Sequence, residues 1–462
     1  VDFPLYEELG GDEFMAIKPW VGTVKAMKPD PLPRVEQSPP DCTLSLDFVH
    51  GYRSFDTRDN LRYNATGKIV YHAAALGIVY DPQTHTQQFM NEHSDDIVSF
   101  ALHPVRTQWL VVVAAVIDSV VIAVLLQDGK TIATGEVGAK PKIVLWNSAS
   151  TDRFIKSTGL HARAVIQLSF SPSGRYLASI GQDDDHTLCV SDWSKRAKVF
   201  SSKSDNVRPA CGIVAAAHPH PCTLPQNKVL ALKWIDDNTL VTGGVRHIWF
   251  WDVATKKKRR GAISRSLAKG AQPSFLTFAA FGGGSSKVLV SGTNTGHLML
   301  WRDRSCSDAI PAHEGYVYAL DATPGGLVSG GSDGVVKLWN QSFQPIRSYS
   351  IREMGTSFDP SVRSVTWDNG TSRLLVGTLG AEIFELDAES GRDLHNGPVV
   401  QGHCKDELWG LACHPSRDLA VTVGDDHSLR VWDLKQRKCV ARNVLPDMAR
   451  AAAFSPDGRL LA

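Results

Sequence analysis

A short strand, a tight Gly/Asp turn and a second strand ending in Trp recur along this chain, as in LVSGGSDGVVKLWN (327–340) and AVTVGDDHSLRVWD (420–433). Two copies also carry a His, a Ser or Thr and an Asp, the last two at matching distances before the Trp. Together these observations predict an all-β fold, a WD-repeat β-propeller in which each repeat is one four-stranded blade. Further copies read VTGGVRHIWFWD (241–252), VSGTNTGHLMLW (290–301) and IGQDDDHTLCVSDW (180–193), with more degenerate ones at 133–147, 377–387 and 74–81. The Trp-equivalent positions are Tyr80, Trp146, Ser191, Trp251, Trp301, Trp339, Leu386 and Trp432, separated by 66, 45, 60, 50, 38, 47 and 46 residues. Most of these steps lie near the ~40–45 residues of a propeller blade. Between them stand complementary strands such as AVIQLSFSPSGRYLAS (164–179) and LWGLACHPSRDLAVT (408–422), which break at a Ser-Pro or His-Pro turn.

The polar set follows from burial. A blade packed on both faces must satisfy every polar side chain it buries, and a His before the first strand, a Ser/Thr on the second, an Asp in the next turn and the Trp can bond in series. One blade offers His313, Ser329, Asp333 and Trp339, and another His403, Thr422, Asp426 and Trp432. The Ser/Thr and the Asp stand ten and six residues before the Trp in both. His, Ser and Asp also make up a hydrolase triad, but a set that recurs blade by blade reads as a structural lock, and no enzyme is expected.

Eight blade ends exceed one seven-bladed ring. Either a single ring has eight or nine blades, or a seven-bladed propeller is complete and the first blades of a second begin near 400; the second reading is preferred. The expected organisation is a hydrophobic segment with a Pro-rich linker over 1–43, a first propeller over 44–400 and the start of a second over 401–462. Both ends of the chain read as cut, since it begins with Val and stops inside the strand-like AAAFSPDGRLLA.

Composition excludes several classes. Lys+Arg 49 against Asp+Glu 48 leaves a formal charge of +1 over 462 residues. No global field therefore draws the chain to nucleic acid or membrane, and neither is expected as a partner. The eight cysteines form no C-x-x-C pair and are read as free thiols in a reducing compartment. No phosphate-binding loop, H-E-x-x-H or paired-cysteine motif is present, so no metal or cofactor is expected.

The first 80 residues are not repeat-like. They contain GDEFMAIKPWVGTV (11–24), the prolines Pro29, Pro31, Pro33, Pro39 and Pro40, and then LSLDFVHGYRSFDTRDNLRYNATGKIVYHAAALGIVYD (44–81). The F-x-x-x-K-P-W core (Phe14, Lys18, Pro19, Trp20) resembles the HELP motif of the echinoderm microtubule-associated protein-like family. Gly51-Tyr52-Arg53, Arg58-Asp59-Asn60-Leu61 and Thr66 to Tyr71 resemble the start of that family's first propeller. His93 to Asp96, His103-Pro104, Ile132 to Gly135 and Gly402-His403 with Asp406 to Leu411 continue the resemblance in order. It implies a HELP segment packed with a tandem pair of propellers that bind tubulin or microtubules. The form of the motif suggests the long members with several tandem copies. Trp20 reads first as a packing anchor and second as a tubulin contact.

Three stretches depart from the repeat. WLVVVAAVIDSVVIAVLLQ (109–127) has one charge, Asp118, in 19 residues, and could pass for a membrane span. Removing it leaves an ordinary step between blade ends, so an apolar insertion folded against the propeller and a mis-spliced stretch are the stronger readings. HPHPCTLPQN (218–227) reads as a loop. Lys256, Lys257, Lys258, Arg259 and Arg260, placed in the turn after a WD end, form a basic cluster. It reads as a solvated turn, a contact for the acidic surface of tubulin, or a nuclear signal.

The expected function is thus a non-catalytic, microtubule- or tubulin-binding WD-repeat protein of the cytoplasm and cytoskeleton, with a cilium or flagellum as a further location. A general WD-repeat scaffold for a ciliary or ubiquitin-ligase complex is the alternative.

Overall fold

The computed structural model describes residues 26–29, 41–104, 129–204, 228–264, 267, 273–282, 287–355, 357–368 and 370–462. The chain divides into two compact units, Val1–Leu46 and Asp47–Ala462. Of the first, only 26–29 and 41–46 are described, and none of these residues is in a strand. Phe14, Lys18, Pro19 and Trp20, the apolar stretch 109–127 and the loop 218–227 all lie outside the described residues.

The second unit holds eight four-stranded antiparallel sheets among its described residues, each built from four consecutive strands. They are numbered here in chain order as sheets 1 to 8, over 62–90, 97–157, 165–203, 229–260, 275–311, 317–350, 362–401 and 408–444. Neighbouring sheets meet through their first strands, and sheet 1 returns to pack on sheet 7. Seven sheets therefore form a closed ring. Because each blade lies between two others, its middle strands are buried on both faces while its fourth faces solvent. In sheet 6, Gly326–Gly331 is buried throughout, whereas Pro345–Ser350 is mostly exposed. Such double burial explains why the second strands read as apolar and small-residue runs rather than as a strict alternation.

Glycine on the second strand has a packing cause. A Cβ on Gly330 would collide with Val362 on the first strand of the next sheet, and one on Gly377 would collide with the Tyr52 ring. Blade approach thus leaves no room for a side chain there. The turn that follows has its own demand. Gly334 at φ 77°, Gly296 at φ 79° and His427 at φ 59° occupy the left-handed region at equivalent turns, a conformation that costs glycine least.

The long step between the first two blade ends is resolved on the described side. Ile97–Leu102 and Thr131–Glu136 pair directly, with Leu102 opposite Ile132. The stretch 109–127 thus falls within the connection between adjacent strands of one sheet. No helix among the described residues is long and apolar enough to cross a membrane.

Sheet 8 follows the ring and leans on the seam between sheets 1 and 7. His50 stacks 4.4 Å from Trp432, His85 Nε2 lies 3.0 Å from the Gln436 carbonyl, and Arg437 pairs with Asp47 at 2.8 Å. Its first strand differs from those of the ring. Leu408 and Leu411 are 53% and 67% exposed, whereas Val317 and Leu320, their register equivalents in sheet 6, are 0% and 2% exposed.

This contrast sets a test of packing. Leu320→Ala should cost about 2–5 kcal/mol in chemical denaturation, as for a filled core site. Leu411→Ala should cost less than about 1 kcal/mol, since little apolar surface is buried there.

Candidate functional site

The two His–Ser/Thr–Asp–Trp sets each come together in one hydrogen-bonded chain. In sheet 6, Leu327 stands opposite Trp339, which places Ser329 diagonally beside the indole. Trp339 Nε1 donates to Ser329 Oγ at 2.9 Å, Ser329 Oγ lies 2.8 Å from His313 Nε2, and His313 Nδ1 lies 3.1 Å from the Asp333 carboxylate. A neutral imidazole protonated at Nδ1 fits this chain of bonds. The indole donates to the hydroxyl, the hydroxyl to Nε2, and Nδ1–H to the carboxylate. Sheet 8 repeats the arrangement, with Trp432 to Thr422 at 2.7 Å, Thr422 to His403 at 2.8 Å and His403 to Asp426 at 2.9 Å.

Burial raises the pKa of Asp333 and Asp426, but bonds from His313 and His403 and from backbone N–H groups outweigh it and hold both carboxylates below their ordinary range. Ser329 is fully buried, so its hydroxyl is closed to any substrate. The chemistry of these sets is mutual satisfaction of buried polar groups.

Other blades keep parts of the set. Trp251 donates to Thr242 at 2.9 Å and Trp301 to Ser291 at 2.9 Å. His93 bonds Thr134 at 2.7 Å and Glu136 at 2.8 Å, which was not legible as a set in the sequence. The turn in that blade is two residues longer, so Thr134 stands twelve residues before Trp146 rather than ten, and a Glu replaces the Asp. In sheet 7, Glu382 takes the acidic position, accepting from Ser357 at 2.6 Å, from Phe358 N at 2.6 Å and from Thr378.

The basic run does not lie in a turn as the sequence suggested. Only Lys256 does, while Lys257–Arg260 forms the outer strand of sheet 4 because each residue pairs with the Trp-ended third strand. Strand alternation therefore divides the charges between two faces. Lys258 is half-buried: its ammonium donates to the Ser204 carbonyl at 2.8 Å and sits 4.8 Å from the Trp249 ring. Lys256, Lys257, Arg259 and Arg260 are exposed.

The segment 51–63 was read only as a propeller start, yet it joins blades that lie far apart in sequence. Tyr52 Oη donates to Asn60 Oδ1 at 2.7 Å and lies 3.1 Å from Ser364 Oγ. Arg363 reaches back to the Ser54 carbonyl at 3.0 Å and stacks over Tyr318.

Two outcomes follow from the buried sets. Ser329→Ala leaves both an indole N–H and an imidazole nitrogen unsatisfied and should cost about 2–4 kcal/mol. Ser291→Ala strands one indole only and should cost about 1–3 kcal/mol, read by denaturant melts of both variants. Burial, opposed by Asp183, lowers the His161 pKa to about 4, and its Nδ1 has no partner among the described residues. In the unfolded chain the same imidazole takes its proton near pH ~6.5. Stability should therefore be flat above about pH 7 and fall from about pH 6.5 towards 4, as the unfolded state binds the proton first. His161→Gln should make that fall shallower in thermal melts across the range; an unchanged slope would assign it to other groups.

Comparison with known proteins places this geometry. A family model described as the echinoderm microtubule-associated protein first beta-propeller matches residues 86–386, the HELP motif model matches 39–78, and the WD domain, G-beta repeat, matches 396–433. The HELP match covers the Gly51–Tyr71 stretch and the first strands of sheet 1; Phe14, Lys18, Pro19 and Trp20 lie N-terminal to it. Echinoderm microtubule-associated protein-like 2 of Rattus norvegicus is 33% identical over 92% of this chain and 59% of its own length. The 77 kDa echinoderm microtubule-associated protein of Strongylocentrotus purpuratus is 30% identical over 91% and 55%, and echinoderm microtubule-associated protein-like 1 of Homo sapiens is 30% identical over 92% and 47%. The chain thus spans about half the length of these relatives. With a family model matched from sheet 1 to sheet 7 and the seven-sheet ring behind it, the chain belongs to the echinoderm microtubule-associated protein family.

Proposed function

We propose that this chain is a microtubule- or tubulin-binding protein of the cytoskeleton, acting by non-catalytic contact and influencing microtubule organisation. The observation that carries the reading is the family match over 86–386, with relatives whose names describe them as microtubule-associated. A propeller suits the role, because its ring is rigid and its loops and outer strands present large surfaces to a partner.

The outer strand of sheet 4 is the proposed contact. Lys256, Lys257, Arg259 and Arg260 are exposed there and would meet an acidic partner surface. Lys258 contributes to holding sheets 3 and 4 together, through its bonds to the Lys203 and Ser204 carbonyls, more than to a partner.

The proposed organisation keeps a first propeller over 44–400 and the start of a second over 401–462, preceded by a hydrophobic segment over 1–43. What supports the second ring is the exposed first strand of sheet 8, whose apolar residues are those that a neighbouring blade covers in sheets 1 to 7.

Co-sedimentation with polymerised tubulin tests the reading. The chain should pellet more than an unrelated propeller, and less as salt is raised. Replacing Lys256, Lys257, Arg259 and Arg260 together by Gln should weaken pelleting several-fold with an unchanged melting temperature. Pelleting no greater than the unrelated control would refute microtubule binding by this chain.

A further inference from the structure

The central channel of the ring concentrates positive charge that the protein itself does not neutralise. Residues 53–62 enter it, and Arg58, Arg62 and Lys233 line a cavity of about 510 Å3 bounded by the first strands of sheets 2 to 5. Arg58 places one terminal nitrogen on the Leu230 carbonyl at 3.1 Å. Arg62 uses Nη1 for the Leu61 carbonyl and the Thr366 hydroxyl, at 2.7 and 3.2 Å. The Lys233 ammonium makes no hydrogen bond or ion pair with any described residue, although it feels the charges of Arg62, Asp321 and Asp59.

Two carboxylates lie near these cations, each with one oxygen engaged. Asp59 Oδ2 accepts from Thr277 at 2.8 Å while its Oδ1 is buried without a partner, and Asp321 accepts from the Trp367 N–H at 3.2 Å. Arg363 adds a fourth cation just behind, committed to the Ser54 and Phe55 carbonyls. Asp56, which also lines the cavity, is paired with Arg53 at 2.7 Å, so Arg58, Arg62, Lys233 and Arg363 against Asp59 and Asp321 leave a surplus of positive charge inside a protein-lined shaft. Burial lowers the pKa of both Lys233 and Arg58, and the neighbouring guanidinium groups lower it further. Charge held this way is costly unless something neutralises it.

We propose that the channel binds a small phosphate-type oxyanion, held by the Lys233 ammonium and the open guanidinium N–H groups of Arg58 and Arg62. Planar guanidinium forks match the oxygen spacing of such an ion, and the ammonium supplies a point charge with three free donors. A low-dielectric shaft strengthens each of these bonds relative to the same contacts in water. Walls made of the ring's own strands favour a small ion over a peptide, which would have to displace the 53–62 segment.

The test is calorimetric and thermal titration of the chain with inorganic phosphate and with pyrophosphate, at ionic strength matched by potassium chloride. Saturable binding and a rise in melting temperature are expected. Lys233→Met should weaken binding about tenfold or more, the worth of one charge-assisted bond, while Lys257→Met on the exposed outer strand should bind as the parent does. Because Lys233 makes no bond with any described residue, Lys233→Met should melt no lower than the parent without phosphate. Absence of saturable binding, equal binding by parent and Lys233→Met, or a lower melting temperature of Lys233→Met without phosphate would overturn the proposal. Binding of a poly-glutamate peptide in place of either phosphate would overturn it too, and assign the channel to an acidic protein segment.

Discussion

Closure of the ring depends on the seam between sheets 1 and 7. Every sheet here is made of consecutive strands, so no strand is shared between the two ends of the ring to fasten them. The fastening falls instead to residues 52–63. Tyr52 packs where Gly377 has no side chain, as Val362 does on Gly330. Its hydroxyl reaches Asn60 and Ser364, and Leu61, Ile69 and Tyr71 join Leu375 and Ile383 in one buried cluster. These contacts span some 300 residues of chain, so forming them carries a larger loop-closure entropy than any contact between blades adjacent in sequence. The segment that family comparison singles out as the HELP motif is the one that performs this closure.

Once the ring is closed, burial on both faces of each blade governs the polar residues within it. An indole N–H in the middle of a blade has no water to bond, and in four sheets a hydroxyl diagonally across from it accepts its hydrogen bond. That hydroxyl needs an acceptor, which a His supplies, and the His needs a carboxylate. Sheets 6 and 8 carry the full series, and sheets 4 and 5 carry its indole–hydroxyl bond. Sheet 3, with Ser191 in place of the Trp, keeps the His161–Ser179 bond at 2.6 Å alone.

The same ring separates two electrostatic regions. On its outside, the last strand of sheet 4 holds exposed cations in water, where they are mobile, screened and available to a partner. Inside, Arg58, Arg62 and Lys233 face a narrow shaft where charge is felt strongly. A chain with a formal charge of +1 thus carries two positive sites of different physical character, one suited to a broad acidic surface and one to a small ion.

The sequence by itself determined the repeat and its internal chemistry. Periodic Trp ends, Gly/Asp turns and the His–Ser/Thr–Asp spacing are local consequences of one blade geometry, so they survive in the linear order of residues. The sets at 313–339 and 403–432 were readable for that reason, and the His93–Thr134–Glu136 set was hidden because a longer turn shifted its spacing. Tertiary structure alone decided where the ring closes, that Lys257–Arg260 is a strand with its charges divided between two faces, and that Arg58, Arg62 and Lys233 line one cavity. Those facts depend on which residues meet across hundreds of positions, and no period or spacing encodes such a meeting. The same holds for sheet 8: its repeat is as regular as that of sheet 6, and only the structure shows that Leu408 and Leu411 are exposed there.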